Sequence, residues 1–344
     1  MTDTDPEIRS APAERCRICG STGEPLYAGL RDRLFSAAGE WACRRCTNPG
    51  CGLVWLDPMP IEADIHKAYA SYYTHARRMD RGGVARCLLA AARLGYLGNR
   101  YGYAASAGER VLGLLPWLYP GRPAELDFSV MWLGPQPGAR LLDVGAGSGW
   151  LVENMCAQGW RAEGLDFDAR SVESARGRGL MMHAGGLAEQ GFADAAFDAV
   201  TMSHSIEHVH DPVAWLAEVR RILKPGGVLS LATPNTRGLG HQVFGRHWFA
   251  LDPPRHLHLF NAGAMSIALR AAGFKAFRVS SSIRDANGTF IAGRAIRARG
   301  RFDMTAPQPA LQKILGRAMQ LVELVVKLVQ PDAGEDLVVL AHKE

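Results

Sequence analysis

The sequence predicts an α/β fold in which a parallel sheet carries helices on both faces and a small cysteine-rich module precedes it. Three observations carry that expectation. From residue 139 onward, short apolar runs alternate with amphipathic stretches at the spacing of strand–helix–strand units. The first of those runs ends in a glycine-rich turn, "VGAGSGW" at 144–150. Five of the seven cysteines fall within the first 51 residues.

Taken in order, residues 1–13 are polar and broken by proline, and are expected to be frayed. They hold no apolar signal core, and the longest apolar runs of the chain fall far short of the roughly 20 residues a bilayer span requires, so a cytoplasmic location is expected. The net charge of +5 comes with 33 arginines against six lysines, a bias that makes overall basicity a weak guide to partners.

Residues 14–60 carry "CRICG" and "CRRCTNPGCG". Paired cysteines about 25 residues apart, without an export signal, suit tetrahedral zinc better than disulfides. Glycine after Cys19 and after Cys51 allows the tight turns that aim backbone N–H groups at thiolates. The expected zinc ligands are Cys16, Cys19, Cys46 and Cys51, with Cys43 the alternate by the tidier C-x-x-C count. Four thiolates leave no open coordination position, so the zinc is expected to be structural. "LVWLDPMP" (53–60) reads as the join between this module and the rest of the chain.

Residues 61–135 read as a helical linker or cap. Within it, 76–122 hold eight arginines and two acids among apolar runs. Ordinary helical packing with a solvated edge accounts for this, and so does contact with an anionic membrane surface or a lipid-linked phosphate.

In residues 136–344, "ARLLDVG", "RAEGLDF", "FDAVTMSH" and "GVLSLATP" read as strands; "WLVENMCAQG", "DARSVESARGRG" and "PVAWLAEVRRIL" read as helices, the last closed by Lys224-Pro-Gly-Gly. A ligand is expected at the carboxyl ends of the strands. The turn spacing is G-x-G-x-G with Trp150 in the sixth place, so it departs from the dinucleotide fingerprint. Asp143 would sit badly beside a pyrophosphate but well beside an ammonium and a sulfonium. Asp166 closes the second strand, placed to accept two ribose hydroxyls. Both favour S-adenosylmethionine.

These motifs resemble the class I S-adenosylmethionine-dependent methyltransferases: "LLDVGAGSG", "EGLDFD", "FDAVTMSHSIEHVHDP", "RRILKPGGVLSLATPN", "AAGF" with "KAFRVS", and "EDLVVLAHK" stand in that family's order, over about 137–283 and the last ten residues. The resemblance implies a Rossmann-like seven-stranded sheet whose last strand runs antiparallel between the fifth and sixth. It puts Asp143, Gly145, Gly147 and Gly149 around the methionine portion, Asp166 on the ribose, Phe167 beside the adenine, and Ser203 at the end of the fourth strand in the cofactor-binding set. Where many members carry an acid after the third strand, this chain has "AGGLAEQGF", which leaves the adenine to Leu187 and backbone atoms. The "H-x-x-E-H-V" string resembles that of ubiquinone-biosynthesis methyltransferases, and the cysteine module that of a bacterial subgroup associated with sugars, surface glycans and secondary metabolites.

The string "TMSHSIEHVHDP" (201–212) also matches a zinc-peptidase pattern, but it lies at a strand end and not in a long helix, so the i, i+4 pairing of ligands is unsupported. Three readings of His204, Glu207 and His208 stay open: hydrogen bonding that shapes the pocket, a general base, and metal ligation. His210 is expected at the surface, beside a helix start at Asp211-Pro212.

The run 235–260 is too long for an ordinary connection and is expected to form a lid over substrate, with Trp248 in an apolar wall and Arg255, His256 and His258 meeting the substrate. His204, His208, His256 and His258 are the candidate catalytic residues, because an imidazole of ordinary pKa about 6.5 suits the removal of a proton near neutrality. A helical insertion is expected at 284–334. Its segment 311–330 places Lys313, Arg317, Gln320, Glu323 and Lys327 on one stripe, with the apolar remainder expected to pack on the sheet or a partner subunit.

The expected activity is O- or C-methylation of a small molecule, sugar or lipid-linked glycan. The rivals are an RNA methyltransferase that uses the zinc ribbon for recognition, although the module has no repeated basic–aromatic pattern and nucleic acid is not favoured, and a non-catalytic nucleoside-binding module.

Overall fold

The structure is a computed structural model that describes residues 7–69, 84–119 and 121–344. Residues 1–6, 76–83 and 120, on which part of the frayed-terminus and basic-segment expectations fall, lie outside the described residues. The remainder of the expected frayed run is ordered: β1 (Ser10–Ala11) pairs antiparallel with a later strand, Ile8 is buried, and Arg9 donates to Asp64 at 2.7–3.0 Å. That ion pair and the strand pairing tie the segment down.

The cysteine module is built on β2 (Gly23–Leu30), β3 (Trp41–Cys46) and β4 (Val54–Leu56), and β5 (Met59–Pro60) pairs with β1. The run expected to join two domains is therefore buried strand. After it come α1 (Val84–Tyr101), α2 (Ala107–Leu112) and α3 (Gly121–Phe128). A capping box starts α2: the Ser106 hydroxyl accepts from the Glu109 N–H, and the Glu109 carboxylate accepts from the Ser106 N–H.

The main sheet then alternates β6 (Arg140–Val144), α4 (Trp150–Ala157), β7 (Arg161–Asp166), α5 (Ala169–Arg176), β8 (Met182–Ala184), β9 (Phe197–Ser203), α6 (Pro212–Ile222) and β10 (Leu223–Pro234). Asp168 caps α5 and Asp211 caps α6, each accepting a backbone N–H of the first turn. Lys224-Pro-Gly-Gly does not lie outside the strand as a separate closing turn: β10 runs through it, with a register shift between Leu223 and Val228.

Beyond the sheet's middle lie α7 (Leu239–Phe244), β11 (His258–Leu259), α8 (Ala262–Ala271), β12 (Ala276–Ser282), α9 (Ala286–Arg299), α10 (Ala310–Val326) and β13 (Asp336–His342). The strand order is β12-β13-β10-β9-β6-β7-β8, with β13 antiparallel to both neighbours. Val200, Met202, Leu229 and Leu231 of the central strands are sealed from solvent. Parallel strands covered on both faces read as continuous apolar runs, which is why their positions were legible in the sequence.

Two features overturn expectations. β11, part of the expected lid, is the fourth strand of the cysteine module's sheet, pairing His258 with Trp55 and Leu259 with Val54. The lid is thus built into that module. On α10 the expected packing is inverted: Gln320 and Glu323 are buried, while Leu311, Ile314 and Val325 are more than half exposed. Gln320 donates to the Ile283 carbonyl, and a Glu323 oxygen accepts the Glu335 N–H, so polar partners on the protein draw these two inward, while Lys313 and Arg317 of the same stripe stay exposed.

Leu231→Ala in β10 removes a fully enclosed side chain from the sheet centre. Its unfolding free energy, from denaturant titration, is expected to fall by about 2–5 kcal/mol.

Candidate functional site

Gly145, Gly147 and Gly149 all lie in the left-handed backbone region, at φ 80°, 51° and 73°. A Cβ on Gly145 would come within 2.6 Å of the Ser205 Cβ, so the turn lies directly against the histidine-bearing loop. Gly149 starts α4. The turn is tied to β7: the Gly145 and Ala146 N–H groups donate to the Leu165 carbonyl, and the Gly147 N–H donates to Asp166 Oδ2 at 2.7 Å. Asp166 Oδ1 accepts the Asp168 N–H at 2.9 Å, and each oxygen keeps a second lone pair for a ligand hydroxyl. Phe167 is exposed beside Trp215, with ring centroids 5.9 Å apart, whereas Leu187 is buried after β8.

Asp143 is enclosed beneath the turn and accepts the Thr201 hydroxyl at 2.8 Å. Burial pushes its carboxyl up to about 7, with the Asp166 charge adding to the rise.

At the end of β9, Ser203 leads into His204, which takes φ 50°, a left-handed conformation uncommon outside glycine. Three segments far apart in sequence meet at its ring. Arg284 Nη2 lies 2.7 Å from His204 Nε2, Asp336 and Asp285 lie 3.7 Å from the same nitrogen, and Glu207 Oε1 lies 3.5 Å from Nδ1. A guanidinium only donates, so Nε2 accepts from it and the ring proton sits on Nδ1, facing Glu207. Burial pulls the His204 pKa down, but the carboxylates of Asp336 and Glu207 outweigh it and the net direction is up. Arg284 also packs 3.8 Å over the Phe128 ring and donates to Asp336.

Glu207 has no solvent exposure, and its Oε2 accepts the Thr233 hydroxyl at 2.9 Å. Burial alone would raise its pKa, yet the His204 hydrogen bond and neighbouring imidazoles bring it to about 2. His208 goes the other way, pushed down to about 4 by burial and by His256, whose ring centroid lies 4.7 Å from its own. His208 is therefore neutral at pH 7, and the group facing Glu207 Oε1 is the His204 Nδ1. His210 is half-buried, with Nε2 2.8 Å from the Pro60 carbonyl, so it is not the free surface group expected.

The sequence profile of a methyltransferase-domain family matches residues 122–279. That stretch of the chain is similar to a methyltransferase domain. Ubiquinone biosynthesis O-methyltransferase of Alkalilimnicola ehrlichii is 34% identical to it over 150 residues, covering 41% of this chain and 61% of that protein. Demethylmenaquinone methyltransferase of Corynebacterium kroppenstedtii is 34% identical over 104 residues, covering 30% of this chain and 45% of that protein. The match to these relatives thus spans about half to three-fifths of their length. A solved methyltransferase of Thermotoga maritima, 18% identical, covers 73% of this chain and 100% of its own with a TM-score of 0.44; the fold assignment rests on strand order and not on that overlay.

Three residues expected at the substrate are elsewhere. Arg255 is wholly buried: its Nε and Nη2 donate to Asp252, Nη1 and Nη2 to Asp32 at 2.8–2.9 Å, and Nη1 to the Ala68 carbonyl. It clasps the lid to the cysteine module. Trp248 is buried, its indole N–H donating to Glu335 at 3.2 Å. His258 is sealed in the seam, its Nδ1 donating to the Val209 carbonyl and its pKa pushed down to about 4 by burial. An arginine or histidine without solvent exposure cannot meet an entering molecule. His256 stays near His208 and is partly open.

The four cysteines converge as expected, with Sγ–Sγ separations of 3.8 Å for Cys16–Cys51 and 3.4 Å for Cys19–Cys46. Zn–S bonds of about 2.3 Å in a tetrahedron require sulfurs about 3.8 Å apart, so the set fits zinc. Cys43 lies outside the cluster, its thiol pushed up to about 12 by burial. Arg284, Asp336, Thr233 and Tyr69 were missed in the sequence: Thr233 and Asp336 lie in strand motifs that do not reveal what their side chains touch, and the histidine-loop partners of all four lie more than 20 residues away.

Asp32→Ala would leave Arg255 short of a buried counter-charge, and a loss of about 3–5 kcal/mol in unfolding free energy is expected by denaturant titration. Asp143 titrates about 7 when folded and near its ordinary 3.8 when unfolded. The stability contributed by this group is therefore full below pH 4 and is lost as pH rises through 7, by ~4 kcal/mol at most. Denaturation midpoints between pH 5 and 8 should show this decline, and Asp143→Asn should flatten it.

Proposed function

We propose that the protein transfers the methyl group of S-adenosylmethionine to an oxygen or carbon of a small-molecule, sugar or lipid-linked acceptor. The observation that carries this reading is the left-handed glycine turn at 145–149 bound to the Asp166 carboxylate at the end of the adjacent parallel strand. Such a turn lets backbone approach a ligand, and the carboxylate's remaining lone pairs suit two vicinal hydroxyls. The quinone-pathway relatives favour an acceptor of the same size class.

The sulfonium supplies the leaving group, so the protein's contribution is to align the acceptor, worth ~7–11 kcal/mol, and to take its proton. His204 is the histidine best placed for the second task. It ends the strand beside the cofactor turn, and Glu207 faces its Nδ1 and stabilises the imidazolium that forms. Nε2 receives the acceptor proton when Arg284 turns its N–H from the ring to the acceptor oxygen. His208 and His256 line the same loop, and His258 holds the seam.

Zinc on Cys16, Cys19, Cys46 and Cys51 has a structural role in this reading, holding together the sheet that carries β11 of the lid. We place the protein in the cytoplasm, with peripheral membrane contact. None of the described helices is long and apolar enough to cross a membrane. The described part of the basic segment bears exposed Val111, Leu114, Trp117 and Leu118, and Tyr119 next to them donates to Gln320 of α10, whose outer face is apolar. These exposed apolar side chains favour a lipid-associated acceptor over RNA.

Calorimetry with S-adenosylhomocysteine tests the cofactor assignment: low-micromolar or tighter binding is expected, weakened at least about tenfold in Asp166→Ala. His204→Ala should bind it normally yet turn over about 10²–10⁴-fold more slowly once an acceptor is in hand. Undiminished turnover would remove His204 from the chemistry, and absence of binding by the folded wild type would remove the methyl-transfer reading.

A further inference from the structure

Three stretches of chain far apart in sequence bring cations to one place at the seam of the cysteine module, the lid and α9. Arg33 lies between β2 and β3, Arg246 and His247 lie in the turn after α7 (Gly245–His247), and Arg297 lies in the last turn of α9. Their elements meet at a cleft walled by Leu34 of the module, Phe249 and Leu251 of the lid, and Ile296 of α9. The Phe302 N–H donates to the Arg33 carbonyl at 2.9 Å, tying the module loop to the segment after α9. Arg33 Nη1 donates to the Arg246 carbonyl at 2.6 Å, Arg246 Nη2 to the Ala28 carbonyl at 2.9 Å, and Arg297 Nη2 to the Val243 carbonyl. Two of the guanidiniums are thus fastened to the short stretch 243–246, and the third belongs to it.

Carbonyls orient these groups but leave their charge in place. None of the three arginines forms an ion pair among the described residues, and each commits one of its five N–H donors to a carbonyl there. The acids that flank these segments are engaged elsewhere: Glu40 with Arg31 at 3.1 Å, Asp32 and Asp252 with the enclosed Arg255, and Asp303 with Thr305. The mutual repulsion is felt on the spot. His247, half-buried among them, is pushed below its ordinary pKa by burial and then by the charges of Arg33, Arg297 and Arg246. Like charges gathered on one short stretch oppose folding unless an anion stands between them. A carboxylate offers one charge against three. A phosphate group offers about −1.5 to −2 and three acceptor oxygens that guanidinium forks match, so two linked phosphates come nearest to balancing the cluster.

We propose that Arg33, Arg246 and Arg297, with His247 beside them, form a binding site for a phosphate-bearing ligand of the diphosphate type at the seam of module, lid and α9. Arg246 and Arg297 are exposed and Arg33 is half-buried, so an entering anion can reach all three. The site shares no residue with the glycine turn, with Asp166 or with the histidine loop, and it is read without S-adenosylmethionine or acceptor. Phosphates of this kind arrive on a soluble molecule or on a lipid headgroup, and the same guanidiniums serve either.

The test is calorimetric titration of the full chain with inorganic pyrophosphate at fixed ionic strength and without divalent metal. One equivalent is expected to bind with a Kd of about 0.1 mM or tighter. Arg246→Gln and Arg297→Gln should each weaken it at least about tenfold, because each removes charge-assisted hydrogen bonds to the anion. Arg161→Gln makes the same change of charge at the exposed start of β7 and should bind pyrophosphate as the wild type does. Unfolding midpoints report whether each variant is intact, and Arg33→Gln is a further variant should either of the first two disturb the lid. Cosedimentation with phosphatidic acid vesicles, against phosphatidylcholine vesicles, then names the source: pelleting that Arg246→Gln abolishes assigns the site to a lipid headgroup, and no pelleting assigns it to a soluble ligand. No binding of pyrophosphate by the wild type, undiminished binding by Arg246→Gln and Arg297→Gln, or an equal loss in Arg161→Gln would overturn the proposal, and none of these results bears on S-adenosylhomocysteine binding.

Discussion

The parallel pairing of β6 with β9, and of β9 with β10, is the constraint that shapes the site. Register aligns Asp143 with Thr201 and Ser203 with Ala232, so the carboxyl ends of all three strands reach one edge together. The glycine turn leaves β6 there, the histidine loop leaves β9, and Thr233 of β10 stands ready to hydrogen-bond Glu207. The His204 N–H donates to the Ala232 carbonyl, continuing the ladder one residue past β9 and fixing the backbone where its conformation turns left-handed. A one-residue slip would turn the Asp143 side chain to the other face of the sheet and dismantle the support under the turn.

A second level of order is the seam between the cysteine module and the lid. β11 pairs with β4, the Leu56 N–H donates to the Leu257 carbonyl, and the Leu257 N–H donates to the Glu207 carbonyl. The histidine loop is thereby hydrogen-bonded through the lid to the cysteine module. Arg255 is the charged core of that seam: a guanidinium with two buried carboxylates and a carbonyl is fully satisfied, which is the condition under which the interior tolerates it. The same logic explains the inverted α10, where Gln320 and Glu323 turn inward because partners wait for them, leaving the apolar positions outside.

The sequence by itself determined the order of the sheet's elements, the left-handed turn and the four-cysteine cluster. Each is written locally: enclosed parallel strands need unbroken apolar runs, φ above zero favours glycine, and thiolates in pairs need short spacings with a turn after them. The helix start at Asp211 was readable for the same reason, since a helix cap acts on the N–H groups of its own first turn.

Tertiary structure alone decided what the side chains around that frame do. Arg255, Trp248 and His258 have the chemistry of substrate-facing groups, and only tertiary contacts turn them inward: the seam of β11 on β4 for Arg255 and His258, and Glu335 for Trp248. Arg284 and Asp336 reach His204 across 80 and 132 residues of chain, and His256 reaches His208 across 48, separations at which no pattern in the sequence encodes contact. The role of an ionisable side chain depends on its burial and its partners, and both are properties of the packed chain, not of the residue.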